Sequence, residues 1–411
     1  MRIKSLNKPS FRTYLYSLTD FASVTDKAYN LKADGESLRV GKSLKETGLT
    51  LPENCNVRAL YHSGNKWFLH DINGNFYVNL HGSWIFVEQI QGVNTYVGEG
   101  MIDGKMRTII GTENKDYYIG DDGYLVVIEL PKGNACAFYS GMLFVADENT
   151  LKFSALLNAK EQNGFIQTEK TDGDIIALIP TKYSLVIFTE RAIYELVPTG
   201  ERSDYQLKKQ TFSVKPEKGS VYLAGGKMIF ISQGAICAYE SGYVNPVNSN
   251  FIGKGYVYDG EGGTDGTRYF ARVRNIFNGR KGLLVCHAVS LNQSVIDMEI
   301  CHIATDLITD GNKVYQVVES ADQNAEVFWE SEYIDFGVPC KKTLCYLGCY
   351  ANCDLKVEIT GDCMKKVLDL KKGYNERFLN IPSYAFKISV YGKGEKVGIK
   401  DFRLKYRIRG E

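Results

Sequence analysis

Short hydrophobic runs separated by polar turns recur along most of the chain. Each unit has a β-rich run, a polar turn and a second β-rich run, which is the pattern of a β-hairpin. The units begin at Trp67, Thr108, Met142, Leu185, Met228, Tyr269 and, in a weaker copy, Leu307. Successive starts are separated by 41, 34, 43, 43, 41 and 38 residues. A period of about 40 residues with strands in every unit predicts a β-propeller, whose blades each contain four short strands.

The unit that begins at Met142, MLFVADENTLKFS, shows the pattern most clearly. Its polar tip, formed by Asp147, Glu148 and Asn149, would suit the rim of an active site, but these residue types are turn formers first. We therefore expect this unit to be the inner hairpin of one blade. Six or seven blades fit the repeats, and we assign residues 41–325 to the propeller.

The pattern changes after residue 325. Longer alternating runs follow, with the spacing of a small antiparallel sandwich, and we expect a separate β-sandwich over residues 326–411. The first 40 residues show no regular pattern. We expect them to form an irregular segment that wraps the propeller or reaches a neighbouring molecule. The predicted fold is all-β, a six- or seven-bladed β-propeller followed by a small C-terminal β-sandwich.

The last alternating run, FRLKYRIR, has one hydrophobic face and one basic face. The cations of the basic face are Arg403, Lys405, Arg407 and Arg409. One interpretation is an edge strand that its charges protect from aggregation. The other is a docking stripe for an acidic protein surface or for nucleic acid, although no aromatic residue alternates with the cations on that face. We take these four residues as the candidate interface.

Composition and charge narrow the classes of function. Hydrophobic residues make up 44% of the 411 residues and charged residues 24%, as in globular proteins. Residues 341–411 contain 16 Lys and Arg against 8 Asp and Glu, so they carry +8 and the rest of the chain −7. No stretch approaches the ~18 apolar residues of a membrane span. The N-terminus lacks the apolar core of a signal peptide, so we expect folding in a cytoplasm.

Two clusters could hold a metal, but each has a simpler interpretation. The run DGEGGTDG at residues 259–266 offers three carboxylates for a cation such as calcium, but it lacks EF-hand spacing, and Asp-Gly pairs form tight turns. In LCYLGCYANC, Cys345, Cys349 and Cys353 share one face of a strand with Leu347 and Ala351. Residues four apart on a strand are separated by about 13 Å, too far for a tetrahedral zinc site. We expect a loop, core cysteines, no metal and no cofactor.

Catalytic motifs are not apparent in the sequence. The histidines are dispersed along the chain, at His62, His70, His81, His287 and His302. None of the H-E-x-x-H, G-x-S-x-G, Walker-type or G-x-G-x-x-G motifs occurs in a suitable context. A propeller glycosidase needs convergent carboxylates, which turn residues could supply but which no pattern indicates. We expect that the protein is not an enzyme.

Two neighbouring segments and one N-terminal segment resemble segments of a known group of proteins. The neighbouring segments are FYSGMLFVADENTLKFSALLNAKEQNGF at residues 138–165 and GDIIALIPTKYSLVIFTERAIYELVPTG at residues 173–200. VTDKAYNLKADGESLRVGKSL at residues 24–44 is similar to the group's N-terminal segment. The group comprises bacteriophage head-to-tail stabilisation and tail-hub proteins and the propeller-bearing nozzle proteins of short-tailed phages. The resemblance is best over residues 140–200 and extends over residues 24–200.

The resemblance implies a structural component of a virion tail that is assembled in the host cytoplasm. Six copies would form a ring below the portal or at the tail tip, around the channel for the genome. Its implied partners are further copies of the chain and other tail or portal-adaptor proteins, with non-specific proximity to genomic DNA. A closed propeller is a stiff block that needs no cofactor, and a symmetric ring repeats each contact.

Two other classes of function remain open at the level of sequence. One is a host-recognition or adhesion module that binds a surface glycan or protein through propeller or sandwich loops. An aromatic residue such as Trp84 could serve there, although a core or rim position is the simpler interpretation. The other is a propeller hydrolase, which would need clustered carboxylates in the central channel.

Overall fold

The computed structural model describes most of the chain. The described residues are 11–18, 25–29, 31–34, 37–40, 43–52, 55, 57–63, 66–80, 82–90, 94–200, 204–210, 214–247, 252, 255–277, 279–289, 291, 293–296, 298–318, 326–394 and 397–409. Within them lie 39 β-strands and one turn of 3-10 helix, Lys170–Asp172. Among these residues there is no helix with the length and hydropathy that crossing a membrane requires.

Five strands precede the first complete blade. They are β1 (Phe11–Ser17), β2 (Thr25–Tyr29), β3 (Leu31–Asp34), β4 (Ser37–Val40) and β5 (Ser43–Thr50).

Seven four-stranded antiparallel blades occur in the described residues. Six of them are separate sheets, and blade 6 is part of a larger sheet that is described below. Blade 1 contains β6 (Val57–Ser63), β7 (Lys66–Asp71), β8 (Asn75–Leu80) and β9 (Ser83–Gln89). Blade 2 contains β10 (Asn94–Ile102), β11 (Lys105–Thr112), β12 (Asp116–Ile119) and β13 (Leu125–Ile128). Blade 3 contains β14 (Ala135–Tyr139), β15 (Met142–Asp147), β16 (Thr150–Ala155) and β17 (Asn158–Gln167). Blade 4 contains β18 (Ile175–Pro180), β19 (Leu185–Thr189), β20 (Ile193–Pro198) and β21 (Tyr205–Lys209).

The remaining blades complete the propeller. Blade 5 contains β22 (Tyr222–Ala224), β23 (Lys227–Ser232), β24 (Ala235–Glu240) and β25 (Tyr243–Val247). Blade 6 contains β26 (Tyr256–Thr264), β27 (Arg268–Asn275), β28 (Lys281–His287) and β29 (Gln293–Ile296). Blade 7 contains β30 (His302–Ala304), β31 (Leu307–Thr309), β32 (Lys313–Val318) and, as its fourth strand, β5.

The blades form a closed ring with their first strands at the centre. Strand β14 contacts both β10 and β18, β26 contacts both β22 and β30, and β30 of blade 7 contacts β6 of blade 1. Buried hydrophobic side chains fill every junction between neighbouring blades, from blades 1 and 2 round to blades 7 and 1. The predicted propeller fold is therefore confirmed.

The ring is closed by a strand from near the beginning of the chain. Strand β5 pairs antiparallel with β32, from Thr50 opposite Lys313 to Ser43 opposite Val318. Because β5 precedes blade 1 in the chain, this pairing ties the start of the propeller to its end. The ring cannot open at this point without losing a complete strand pairing.

The hairpin that begins at Met142 is β15–β16, the second and third strands of blade 3. The prediction that it is the inner hairpin was wrong, because β14 precedes it and takes the central position. The prediction of a turn was right. Asp147 pairs with Thr150, so Glu148 and Asn149 form a two-residue turn, and Glu148 adopts the positive φ of 50° that such hairpin turns favour.

The C-terminal strands build the sandwich. They are β33 (Glu326–Ser331), β34 (Lys342–Ala351), β35 (Leu355–Thr360), β36 (Lys365–Leu370), β37 (Gly373–Ser383), β38 (Lys387–Lys393) and β39 (Gly398–Arg409). Sheet I has the order β3-β4-β39-β34-β37, and β1 also pairs with β39. Sheet II has the order β2-β33-β38-β35-β36. Their inner faces share one core, in which Leu404 of sheet I and Trp329 of sheet II are both 0% exposed.

Sheet II continues into the propeller. Strand β2 pairs in parallel with β29, with Tyr29 opposite Val295, so blade 6 and sheet II form one nine-stranded sheet. The hydrophobic core of the sandwich also runs without interruption into blades 5 and 6. The sandwich is thus joined to the propeller by hydrogen bonds and by packing.

The prediction that the first 40 residues are irregular was wrong for the described part of that segment. It forms β1–β4, which pair with one another or with β29, β33 and β39. Strands β1 and β2 were missed because their partners lie roughly 300 to 400 residues away, so no local hairpin signal marks them. Strands β3 and β4 pair with each other, from Leu31 opposite Val40 to Asp34 opposite Ser37, so here the local turn signal of Asp34-Gly35 was overlooked. Residues 1–10 and 19–24 lie outside the described residues.

Candidate functional site

The strand that carries the predicted basic row lies inside sheet I. Strand β39 pairs with β34 along one side, and with β1 and β4 along the other. The interpretation of β39 as an edge strand protected by its charges is therefore wrong. The edge of the sheet beyond β34 is β37, which carries Pro382, a residue that sheets tolerate mainly at their edges.

The alternation predicted for β39 is present in the structure. Arg403, Lys405 and Arg407 are exposed, whereas Phe402, Leu404 and Tyr406 between them are buried. The side chain of Arg409 lies outside the described residues. An irregularity at Asp401, whose φ is 54°, shifts the register and brings exposed Lys400 into the same outward row.

Aromatic residues of β34 and β37 lie directly beside this row. Lys405, Tyr346 and Phe378 occupy opposite positions on β39, β34 and β37. Lys400, Tyr350 and Tyr374 form a second set of opposite positions on the same three strands. The Lys405 Nζ atom is 4.6 Å from the centre of the Tyr346 ring, and the Lys400 Nζ atom is 5.0 Å from that of Tyr350.

The outermost rings of this surface are open to solvent. Phe378 is 83% exposed and Tyr374 is 58% exposed. The Tyr346 ring meets Phe378 at 66° with centroids 6.1 Å apart, an edge-to-face geometry that aromatic pairs favour. Sheet I therefore presents a row of cations next to a row of aromatic rings. We call this surface the cation–aromatic face; it comprises Tyr346, Tyr350, Tyr374, Glu376, Phe378, Lys400, Arg403, Lys405 and Arg407.

A small hydrogen-bond network fixes the aromatic side of the face. The Tyr346 hydroxyl donates to Glu376 Oε1 at 2.7 Å, and the Tyr374 hydroxyl lies 3.3 Å from both groups. Gly348 permits this arrangement, because a Cβ atom there would lie 2.6 Å from the Tyr346 hydroxyl. The contact with the Tyr374 hydroxyl, burial and the hydrogen bond to Glu376 all raise the pKa of Tyr346 above its ordinary value. Tyr346 therefore stays protonated at neutral pH.

The cations of the face have no ion pair in the part of the chain that the structure describes. This holds for Lys400, Arg403, Lys405 and Arg407, none of which lies within 4 Å of a described carboxylate oxygen. The strands β1, β34, β37 and β39 contain two carboxylates, Glu376 and Asp401. The positive charge of the face is thus left available to a partner.

The cysteines near this face do not form a metal site in the described residues. A bulge in β34 between Leu344 and Tyr346 moves Cys345 off the core face, while Leu347, Cys349 and Ala351 remain buried in it. The prediction that all of these residues share one face was therefore wrong for Cys345. No group of three or more His, Cys, Asp and Glu side chains placed to hold a metal occurs in the described ranges.

The Gly-rich run at residues 259–266 is not a loop. It lies mostly in β26, where Asp259 and Glu261 form ion pairs with Arg272 at 3.1 and 3.4 Å. Glu261 also bonds to His302 Nδ1 at 2.9 Å and accepts a hydrogen bond from the Ile303 amide. Burial disfavours ionisation of Glu261, but these hydrogen bonds and the Arg272 charge outweigh it and lower its pKa. The cluster connects blade 6 to blade 7 through hydrogen bonds of Glu261 to His302 and Ile303.

Two further positions could contact a ligand, Trp84 and a groove on sheet II. Trp84 lies in β9 and packs partly buried against the core between blades 7 and 1, so it is not a loop residue. A groove of about 620 Å³ lies at one end of sheet II, between residues of β33, β35, β36 and β38. Its rim mixes both signs of charge, including the ion pair of Asp354 with Lys371 at 2.8 Å.

Sequence reasoning found the cations of the face but missed its aromatic half. Tyr374, Glu376 and Phe378 do alternate with Asn375, Arg377 and Leu379 in the sequence. That alternation indicates a shared side of a strand, but it does not reveal that β37 and β39 flank the same central strand. Only the pairing of β34 with both brings the rings and the cations together.

Comparison with known proteins yields similarity at the level of structure alone. No known protein family matches the chain, and no curated protein matches it in sequence. The chain is similar to BamB from Moraxella catarrhalis, with 12% identity, a TM-score of 0.43, and coverage of 67% of this chain and 97% of the other. It is also similar to the Neurospora crassa Pan2 WD40 domain, with 11% identity, a TM-score of 0.44, and coverage of 64% and 88%.

Proposed function

We propose that the protein is a structural component of a phage tail. It assembles with further copies of itself into a ring around the genome channel and contacts neighbouring tail or portal-adaptor proteins. The sequence resemblance that suggests this role is best over residues 140–200, which correspond to blades 3 and 4. These two blades share one hydrophobic core, so the resembling segments form a continuous structural unit.

The observation that carries the proposal is an exposed cationic surface on a sandwich that is joined to the propeller by a shared sheet and a shared core. The cation–aromatic face belongs to a sandwich that shares a sheet and a core with blade 6. A partner bound to this face is therefore held in a fixed orientation relative to the propeller. A structural component of a particle must hold its neighbours in fixed orientations. A module tethered by a flexible linker would not do so.

A structural role also accounts for the polar cluster that most resembles catalytic machinery. Glu261, His302 and Arg272 are engaged with each other and with backbone groups of blades 6 and 7. Their hydrogen bonds hold blades 6 and 7 together, and a closed propeller requires such contacts between neighbouring blades. We therefore propose no catalytic activity for this cluster.

The test is the molar mass of the purified, nuclease-treated protein, alone and mixed with candidate tail and portal-adaptor proteins, followed by imaging of any ring. We expect a closed ring, either alone or on a partner, and the same protein in purified virions. A monomer that binds no tail protein and is missing from virions would overturn the proposal.

A further inference from the structure

We infer that the cation–aromatic face of sheet I binds single-stranded nucleic acid. The phosphates would lie along the cations of β39, and bases would stack on the exposed rings of β37. This inference deepens the proposed function by naming nucleic acid as the partner held on this face, so the contacts with neighbouring tail proteins would use other surfaces. It rests on the face being accessible in the assembly. It does not require a particular ring or position along the tail.

The cations form a linear array that suits a repeated anion. Arg403, Lys405 and Arg407 occupy alternate positions of one strand, so their Cα atoms are about 7 Å apart. With Lys400 the row extends over about 20 Å. Because the row follows one central strand, it can track the backbone of an extended polyanion, with one cation for each of three or four successive phosphates.

The lysines of the row are held in place without losing their hydrogen-bond donors. Lys405 and Lys400 lie over the Tyr346 and Tyr350 rings, and a ring face attracts an ammonium group without occupying all of its N–H groups. Arg403 and Arg407 are exposed and have no ion pair among the described residues. All four side chains can therefore donate to phosphate oxygens.

The aromatic rings lie at a suitable distance from the cations for bases. Strand β37 is two strands from β39, so Phe378 and Tyr374 lie about 10 Å from the cation row across the sheet. A nucleotide whose phosphate binds β39 can reach these rings with its base. Base stacking on exposed aromatic residues is the usual means by which sheet surfaces bind single strands.

The position of Glu376 favours nucleic acid over an acidic protein. Its carboxylate lies on the aromatic side of the face, two strands from Arg403, and accepts hydrogen bonds from the Tyr346 and Tyr374 hydroxyls. In a bound strand this carboxylate would lie beside the bases rather than the phosphates, and it can accept hydrogen bonds from the amino groups of bases. An acidic protein surface spread over the whole face would meet this carboxylate unfavourably.

The test is fluorescence anisotropy with a labelled single-stranded oligonucleotide of about 12 nucleotides, compared with its duplex and with polyglutamate. We expect the single strand to bind more tightly than either. The logarithm of its affinity should fall with the logarithm of salt concentration with a slope of roughly −2 to −3, for three or four phosphates. Arg403→Gln and Arg407→Gln should each reduce that slope by about 0.7.

Phe378→Ala separates base stacking from backbone attraction. We expect it to weaken single-strand binding roughly fivefold to a hundredfold while leaving the salt slope unchanged. The matched control is Tyr183→Ala, which removes a 73% exposed ring that also has a lysine beside it but lies in a turn of blade 4. Lys356→Gln on sheet II is the control for charge. Neither control should change binding, and circular dichroism checks that every variant is folded.

Three results would overturn the inference. Equal binding of duplex with no effect of Phe378→Ala would mean that the row attracts any phosphate backbone. Tighter binding of polyglutamate would identify an acidic protein as the partner. A lack of oligonucleotide binding at low salt would exclude nucleic acid altogether. Because ring formation is measured separately on nuclease-treated protein, failure of the proposed tail role and failure of this inference are distinguishable.

Discussion

The lysines on the outward faces of the two sandwich sheets have different partners. On sheet II, Lys387 lies 2.8 Å from a Glu330 carboxylate oxygen, and Lys365 lies 2.8 Å from one of Glu358. On sheet I, Lys405 and Lys400 lie over tyrosine rings, and no described carboxylate pairs with the row. Both faces have the alternation of a half-buried strand. Alternation therefore identifies which side chains point outward, while the neighbouring strands determine whether their charge is neutralised.

The largest expected effect tests the alternation that both sheets share. Leu404→Ala opens a cavity in the common core, and we expect it to reduce the free energy of unfolding by about 2–5 kcal/mol. Urea unfolding monitored by tryptophan fluorescence measures the loss, since Trp329 lies in the same core. The control is Arg403→Ala. Arg403 directly precedes Leu404 in the strand but lies on the outward face, so this variant should change stability by less than about 1 kcal/mol. Equal losses would contradict the assigned faces.

An intermediate effect compares two lysines that both lie over tyrosine rings but of which one, Lys387, also pairs with a carboxylate. Lys387→Met removes an ammonium group from Glu330, whose side chain is 15% exposed, and should cost about 1–2 kcal/mol because a largely buried carboxylate loses a charged partner. Lys405→Met should cost about 0.5 kcal/mol, the value of an exposed cation–π contact. Chemical unfolding of both variants measures the difference, with Lys387→Arg as the control that keeps the charge. A larger loss for Lys405→Met would mean that the row on sheet I is structural.

The smallest expected effect is a titration. The hydrogen bond to Glu358 raises the pKa of Lys365 above its ordinary value. Since the pKa in the folded state exceeds that in the unfolded state, the stability from this pair is present below the ordinary lysine pKa and disappears as pH rises through the raised value. NMR titration of the Lys365 side chain should show its pKa returning to the ordinary value in Glu358→Gln. Glu376→Gln on sheet I should leave it unchanged, and a shift there would contradict the separation of the two faces.

The propeller was predictable because its signals are local. A hairpin places its two strands next to each other in the chain, so Met142–Asp147 and Thr150–Ala155 show their pairing within a few residues. The number of blades was left at six or seven because the last blade is completed by Ser43–Thr50 from the other end of the repeats. The period of the sequence does not record which distant strand completes a blade.

The sandwich was only partly predictable for the same reason. Its strands alternate as expected, but Phe11–Ser17 pairs with a strand near residue 400 and shows no hairpin partner of its own. The basic row was identified correctly as one side of a strand. Its central position in the sheet and its neighbouring rings were not, because both depend on partners that are distant in sequence.

The sequence by itself determined the hairpins of the repeats and which side chains share a face along a strand without a bulge. Period-two alternation is a property of the strand alone, so Arg403, Lys405 and Arg407 lie opposite Leu404 and Tyr406 in any sheet that buries the hydrophobic side. The tertiary structure decided what lies beside them. Strand order joins segments from opposite ends of the chain, and it is this order that closes the ring, attaches the sandwich to blade 6 and places the aromatic rings of sheet I next to its cations.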